Sequence, residues 1–421
     1  MKILFAFENP LPSAEADAEV FITTAKYLAG LCEQSWLHLP AADQASCEVA
    51  GKLANMPAIR ARAPLKPAAL RHLCCGLSLV RSKEFRQADL VYTRNLWVAW
   101  MAVTFGQRVA FDHYRPWPDQ IPPLQAWLYR LICDRRFLVN ICHSNYTRAK
   151  YLKLGIPAGK LDCVHNGYEP ERLQAPVSAQ HAKAALGLAA DRKTVVYTGR
   201  VNHKKGLHLV IEAARKLPEI DFVLVGSYGE GPIEQLARPL GNVRIVPWQA
   251  AESLGQYIFA ADVLLIPPSW QPLAEFGSTV LPLKLFSYMA SGRPILAGRT
   301  PDIEELLRDG ENALLCPPDD VDALVTSLAT LTGDPQLAAR VAAVAQVESR
   351  SLTWEARARR IAAILKARLR ATPIGHGFWG RAHFRTWLYQ SRRWLVHLLR
   401  EGSWILPQSI ATPPPLPAEP E

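Results

Sequence analysis

Arg200, Lys204 and Lys205 stand between Gly199 and Gly206, after an apolar run at 194–197 and before Leu207-His-Leu-Val-Ile-Glu-Ala-Ala-Arg215, which is apolar at helical spacing. Cations in a glycine-bounded turn can hold an anion in two ways at once. Guanidinium and ammonium groups supply charge and hydrogen bonds, and the N–H groups and dipole of a starting helix add to them. The chemistry is that of seating a diphosphate; the plain alternative is a solvated basic turn. Gly226-Ser-Tyr-Gly-Glu-Gly231 follows the next apolar run and could bring bare backbone close to phosphate or ribose, although such a string is more often an ordinary turn. Lys284 lies one helical turn before Ser287 and could reach phosphate as well, with Pro282 suited to the first turn of their helix.

Two further groups bear on chemistry. His113, within Asp112-His113-Tyr114 after the run at 108–111, could donate to sugar hydroxyls as a neutral imidazole, or be a hydrogen-bonded loop histidine. Asp320-Val-Asp322 has the spacing of a metal-binding pair. It stands after Pro317-Pro318 and before a helical pattern, however, so helix capping explains it and no metal is expected.

These residues need strands and helices to hold them. Short apolar runs at 2–7, 89–92, 108–111, 137–141 and 161–164, then at 194–197, 221–225, 243–246, 263–266 and 294–296, alternate with helical patterns. That alternation predicts βα units around parallel sheets. In such sheets ligands bind beyond the carboxyl ends of the strands. The residues found there are polar: Glu8-Asn9, Arg94-Asn95, Asp112-His113, His143-Ser144, Asn166-Gly167, Gly199-Arg200, Gly226-Ser227, Ser269 and Gly298. A chain of 421 residues exceeds one ordinary core, and Gln174-Ala-Pro-Val-Ser178 reads as a linker between two domains.

Composition narrows the class. With 49% hydrophobic and 20% charged residues the chain is globular, and its net charge of +10 favours an acidic partner: nucleotide, anionic lipid or nucleic acid. Nucleic acid is not expected, because charge alone supports it and no helix-turn-helix or aromatic RNA-binding motif does. The eight cysteines form no Cys-x-x-Cys pair, which predicts a reduced, cytoplasmic protein. The amino-terminal apolar run is too short for a signal peptide, and no stretch of about 18 apolar residues could span a bilayer.

The second half resembles the donor-binding half of GT-B glycosyltransferases, in particular the large retaining family 4. The resemblance rests on Gly199-Arg200 with Lys205-Gly206, Gly226 with Gly229 and Gly231, Asn242-Val-Arg-Ile, Ala261-Asp-Val-Leu-Leu-Ile-Pro-Pro-Ser269, and Pro282-Leu-Lys-Leu-Phe-Ser-Tyr-Met-Ala-Ser-Gly-Arg-Pro-Ile-Leu-Ala297. More loosely, Ile141-Cys-His-Ser144 and Val164-His-Asn-Gly-Tyr-Glu169 resemble the acceptor domain of that family.

The resemblance implies an α/β fold of two Rossmann-like domains, with mostly parallel sheets facing a central cleft, to which this chain adds a carboxyl-terminal helical extension. It places an acceptor domain at 1–175, a donor domain at 176–350 and a crossing helix at 351–371; beyond the family core, residues 372–406 read as an amphipathic extension and the proline-rich 407–421 as a disordered tail. It makes Arg200 and Lys205 the stabilisers of the diphosphate, sets His113 facing the transferred sugar, and puts Gly199, Gly226, Ser278, Thr279, Lys284 and Ser287 at the donor. Family members carry two glutamates at the positions held here by Thr279 and Ser287, so this chain departs from the pattern. Glu275, twelve residues before Ser287, could supply a hexose contact only through a longer loop.

The implied activity is transfer of a hexose from a nucleoside-diphosphate sugar to a saccharide or lipid-linked acceptor, with retention and with no cofactor or metal. The rival is a silent relative that binds nucleotide sugar or membrane within a complex. Between 378 and 406 the chain is basic and rich in tryptophan, with Phe384, Trp387, Leu388, Trp394, Leu395 and Leu398 on one helical face. Contact with an anionic membrane and packing on the protein's own core both fit it. Lys52, Arg60, Arg62, Lys66, Arg71, Arg81, Lys83 and Arg86 form a basic stretch that could meet lipid headgroups at the inner face of the cytoplasmic membrane, or be a solvated face.

Overall fold

A computed structural model describes residues 1–13, 16–113, 115–120, 124–173, 177–276 and 281–372. The chain divides into two units, Met1–His165 with the segment from Trp354 onward, and Asn166–Thr353. In the first unit β1 (Lys2–Ala6), β2 (Gln34–Pro40), β3 (Ala58–Ala61), β4 (Leu90–Thr93), β5 (Val109–His113), β6 (Phe137–Cys142) and β7 (Leu161–Cys163) form one sheet in the order β3-β2-β1-β4-β5-β6-β7. In the second, β8 (Lys193–Thr198), β9 (Ile220–Ser227), β10 (Val243–Pro247), β11 (Val263–Ile266), β12 (Ile295–Gly298) and β13 (Leu314–Cys316) are ordered β10-β9-β8-β11-β12-β13. Every pairing between these strands is parallel.

Helices cover both faces of each sheet, which is why the strands read as continuous apolar runs. Along β1 the side chains alternate between two cores. Ile3 and Phe5 pack with Phe21, Tyr92 and Ile361, while Leu4 and Ala6 pack with Val91, Phe111 and Trp127. In the second unit Val195 and Tyr197 face the core that holds helix Leu207–Lys216, and Val196 faces the core that holds helix Lys284–Ala290.

Strands β2, β3 and β13 have no counterpart among the apolar runs. β2 mixes Gln34, Ser35 and His38 with its apolar residues, β3 has four residues including Arg60, and β13 has three. Their pairing is supplied by neighbours, as in the register of Leu37 with Phe5 and with Ala58, so tertiary contact overrides a weak local pattern. The chain also leaves the first unit at His165, ahead of the proline-containing stretch at 174–178. Tyr168 already bridges Thr353, and the 3-10 turn Pro170–Leu173 packs on helix Ala251–Ala260 of the second unit. The chain returns at Trp354 as helix Trp354–Ala371. The extension from 373 and the tail at 407–421 lie outside the described residues. Among the described residues no helix is long and apolar enough to cross a membrane, and all eight cysteines are free thiols.

The returning helix is held by charge as well as by Ile361 and Leu365. Arg357, 3% exposed, donates through Nη2 to both carboxylate oxygens of Asp112 at 2.8 Å, and through Nη1 to the carbonyls of Val164 and His165. Asp112 also accepts from Tyr92 Oη at 2.5 Å, and His143 Nε2 lies 2.6 Å from its other oxygen. Burial would raise the Asp112 carboxyl, but Arg357 and His143 overcome it and hold the group well below the usual carboxylate range. Removing one partner of such a pair leaves a buried charge uncompensated. Arg357→Ala is therefore expected to cost about 3–5 kcal/mol in urea unfolding; a loss below about 1 kcal/mol would show that the helix does not depend on this pair.

Candidate functional site

Both strand orders reverse direction beside their first strand, at β1/β4 in the first unit and β8/β11 in the second. A crevice at the carboxyl ends of the strands is expected at each reversal. In the second unit β8 ends at Thr198, whose N–H donates to Tyr288 Oη at 2.8 Å, so helix Lys284–Ala290 is tied to the end of the strand. Gly199 (φ +129°) and Gly226 (φ +119°) follow. A Cβ on Gly226 would stand 2.4 Å from the Gly199 carbonyl oxygen, so the two loops cross in a space that only glycine leaves open. Gly199 donates to the Val225 carbonyl at 2.9 Å and Val201 to that of Gly226 at 3.0 Å, which locks the crossing.

The cations gather around it. A Cβ on Gly199 would meet Lys284 Nζ at 2.9 Å, and that ammonium sits 3.5 Å from the centre of the Tyr197 ring. Tyr197 Oη in turn donates to the Arg200 carbonyl at 3.0 Å, while the Arg200 guanidinium lies 5.4 Å from the Tyr228 ring. Lys205 ends the 3-10 turn His203–Lys205, and Gly206 (φ +72°) leads into helix Leu207–Lys216, whose first N–H groups have no side-chain cap. Among the described residues none of Arg200, Lys205 and Lys284 has a carboxylate partner. Burial and then Arg200 lower the Lys205 ammonium. Burial and then Lys205 push that of Lys284 far below its ordinary range. Such a cluster is costly when empty and is relieved by a polyanion.

Of the residues singled out from sequence, the structure brings together Gly199, Arg200, Lys205, Gly226 and Lys284. Ser287 lies one turn beyond Lys284 on the same helix and is half-exposed. Pro282 precedes that helix instead of lying in its first turn: the helix starts at Lys284, and Leu285 donates to the Pro282 carbonyl at 2.9 Å. Lys204 is exposed. The backbone of Glu275 belongs to helix Gln271–Phe276, which packs against the turn carrying Lys205; its side chain, with Ser278 and Thr279, lies outside what the structure describes. Asp320 caps helix Val321–Gly333 by accepting from Ala323 N–H at 2.9 Å, and Asp322 pairs with Lys216 at 2.5 Å, so the Asp-x-Asp triplet has the capping role.

His113 belongs to the first unit. It is the last residue of β5, paired with Cys142, and not part of the following loop; Tyr114 lies outside the described residues. Its Nδ1 accepts from Arg115 N–H at 2.8 Å, and its ring stacks on Phe111 at 5.8 Å. Burial, then Arg94 and Arg115, hold the imidazole far below its ordinary value. The ring is therefore neutral with the proton on Nε2, the form that can donate to a hydroxyl. One residue earlier, the Asp112 network fixes the end of the strand.

Sequence reading missed that network, as well as Tyr197 and Tyr288. A buried arginine inside a helix carries no local signal beyond a charge on an apolar face. At the β1/β4 reversal Glu8 was visible only as a polar residue at a strand end. It is 9% exposed, its Oε2 has no hydrogen-bond partner, and burial raises its carboxyl against the pull of Arg94. Arg71 braces the loop by donating to the Glu8 carbonyl at 2.9 Å and to Asn9 Oδ1 at 2.7 Å.

Residues 192–334 match the family profile described as Glycosyl transferases group 1. The lipopolysaccharide core biosynthesis glycosyltransferase LpsE of Rhizobium meliloti (strain 1021) is 30% identical over 164 residues, which is 38% of this chain and 45% of LpsE. The D-inositol 3-phosphate glycosyltransferase of Mycolicibacterium paratuberculosis is 28% identical over 232 residues, 53% of this chain and 48% of that one. The chain thus spans about half the length of these curated relatives. Among solved structures, Anabaena HepE in complex with UDP superposes with a TM-score of 0.71 at 20% identity, covering 87% of this chain and all (100%) of HepE. WaaG, a glycosyltransferase involved in lipopolysaccharide biosynthesis, gives 0.61 at 15% identity, covering 86% and 99%. The protein has the fold of the GT-B glycosyltransferases. More narrowly, the match to the glycosyl transferases group 1 profile falls within its second unit.

Burial and Lys205 lower the Lys284 ammonium in the free protein, and an arriving polyanion would raise it again. Inorganic pyrophosphate binding is therefore expected to be accompanied by proton uptake at pH values between the free and the bound pKa of Lys284. The uptake would be read as buffer-dependent heat in calorimetry and lost in Lys284→Met. Heats independent of the buffer's ionisation enthalpy would contradict this electrostatic reading.

Proposed function

We propose that the protein transfers a hexose from a nucleoside-diphosphate sugar to a saccharide or lipid-linked saccharide, with retention of configuration and without a metal. The observation that carries this reading is the trio Arg200, Lys205 and Lys284, without carboxylate partners among the described residues and gathered at the crossing of Gly199 and Gly226. As the sugar–phosphate bond breaks, charge builds on the departing diphosphate. Fixed cations and main-chain N–H groups that are already in place stabilise that charge without reorganising. In this scheme Arg200 and Lys205 hold the diphosphate, Lys284 reinforces them, and Gly226 lets backbone approach. Ser287 takes a ribose hydroxyl, and Ser278 and Thr279 line the donor. His113 donates from Nε2 to a sugar hydroxyl, and Glu275 accepts from another.

HepE's complexes with UDP and UDP-glucose favour a uridine donor, and the names of LpsE and WaaG favour surface polysaccharide or glycolipid synthesis. The acceptor could be reached from an anionic membrane: Leu65, Leu70 and Leu73 are exposed on or just before helix Ala68–Arg81, alongside Arg62 and Lys66. The second reading, a silent relative that only binds nucleotide sugar, is favoured by Ser287, a neutral residue where relatives carry a glutamate.

Screening thermal stabilisation with UDP-, GDP-, ADP- and dTDP-sugars identifies the donor, since a ligand at 100 times its dissociation constant adds about 2.7 kcal/mol. Release of free sugar or a glycosylated acceptor then separates the enzyme from the silent relative. The double variant Arg200→Ala/Lys205→Ala is expected to keep its circular dichroism spectrum and to lose about 1.5–3 kcal/mol of donor binding per contact, together with turnover. Turnover at the wild-type rate would refute the assignment.

A further inference from the structure

Tyr228, Trp248 and Trp270 are the exposed aromatic side chains among the described residues of the second unit, at 61%, 53% and 41%. All three stand at one edge. Tyr228 follows β9 directly, Trp248 follows β10 directly, and Trp270 follows β11 after Pro267-Pro268-Ser269. This is the carboxyl edge, where β8 delivers Arg200. Large rings left in water are costly wherever they lie, and their confinement to the edge bearing the cation cluster marks it as a surface for something flat.

The strand order assigns the rings separate tasks. Tyr228 is one strand from the cluster, and the Arg200 guanidinium lies over its ring at 5.4 Å. Trp248 is two strands away, about 10 Å from the end of β8 at the usual spacing of paired strands. Its N–H donates to the Ser227 carbonyl at 2.8 Å, which anchors the loop while the ring stays exposed. A nucleotide whose diphosphate sits at Gly199 must lay its base one ribose away.

We infer that Trp248 is the stacking surface for the donor's nucleobase, with Tyr228 positioning Arg200 between base and diphosphate. The inference rests on the donor reading above and adds the residue that recognises the base. Stacking accepts any base through its π-face, so Trp248 contributes affinity for nucleosides as a class, and the choice among bases falls to polar neighbours.

The test is calorimetric titration of UDP, GDP, ADP and inorganic pyrophosphate into wild-type protein, Trp248→Ala and Trp248→Phe. For whichever nucleotide the wild type binds, Trp248→Ala is expected to weaken affinity about 10-fold or more, Trp248→Phe much less, and pyrophosphate affinity should stay within about twofold. An unchanged nucleotide affinity in Trp248→Ala would overturn the stacking role, and so would equal losses for nucleotide and pyrophosphate, which would place the effect on the cation cluster. If the wild type binds none of the four ligands, the donor reading itself falls and this inference with it. Because Trp248 is largely in solvent, its replacement leaves the core intact, which an unchanged circular dichroism spectrum would verify.

Discussion

Like charges brought together without a carboxylate partner among the described residues are the constraint around which the second unit is arranged. Lys284 could lie in solvent, where its ammonium would be hydrated; instead helix Lys284–Ala290 presses it against the Tyr197 ring, within reach of Gly199 and of the field of Lys205. Holding it there depends on the buried Tyr288, whose hydroxyl meets the N–H of Thr198, and on two glycines that allow the loops after β8 and β9 to cross. The close crossing of two glycine loops and the desolvation of an amine are both located at the carboxyl ends of β8 and β9.

The first unit solves a different problem. Its sheet must accept a helix that arrives from the far end of the chain, and a buried Arg357–Asp112 pair completed by Tyr92 and His143 makes that docking specific. Because Asp112 and His113 are consecutive in β5, the group that fastens the helix also fixes the strand end from which the imidazole projects. The burial that keeps His113 neutral therefore comes from the same packing that closes the unit.

Much of this was legible in the order of residues, for identifiable reasons. Buried parallel strands are apolar throughout, so β1, β5, β8 and β11 stood out, and their polar successors marked the ligand edge. The grouping of Gly199, Arg200 and Gly226 follows from strand ends, because neighbouring parallel strands deliver their loops to the same side, and Lys205 follows from the glycine-bounded turn after β8. What stayed hidden depended on long-range partners. β2 and β3 are strands because β1 pairs with β2 and β2 with β3, and Arg357 finds Asp112 across most of the chain. His113 looked like a loop residue because its extended conformation is set by pairing with Cys142, which no local pattern encodes. The division between units was displaced from the proline-containing stretch because the bridge from Tyr168 to Thr353 outweighs a compositional cue.

Lys284 and Ser287 share one short helix, a single turn apart, with Lys284 held against the Tyr197 ring and Ser287 half-exposed. A cation and a hydroxyl thus reside on separable side chains of one support. Tyr288 ties that helix to Thr198 without involving Ser287, so the residue at 287 can change while Lys284 keeps its place.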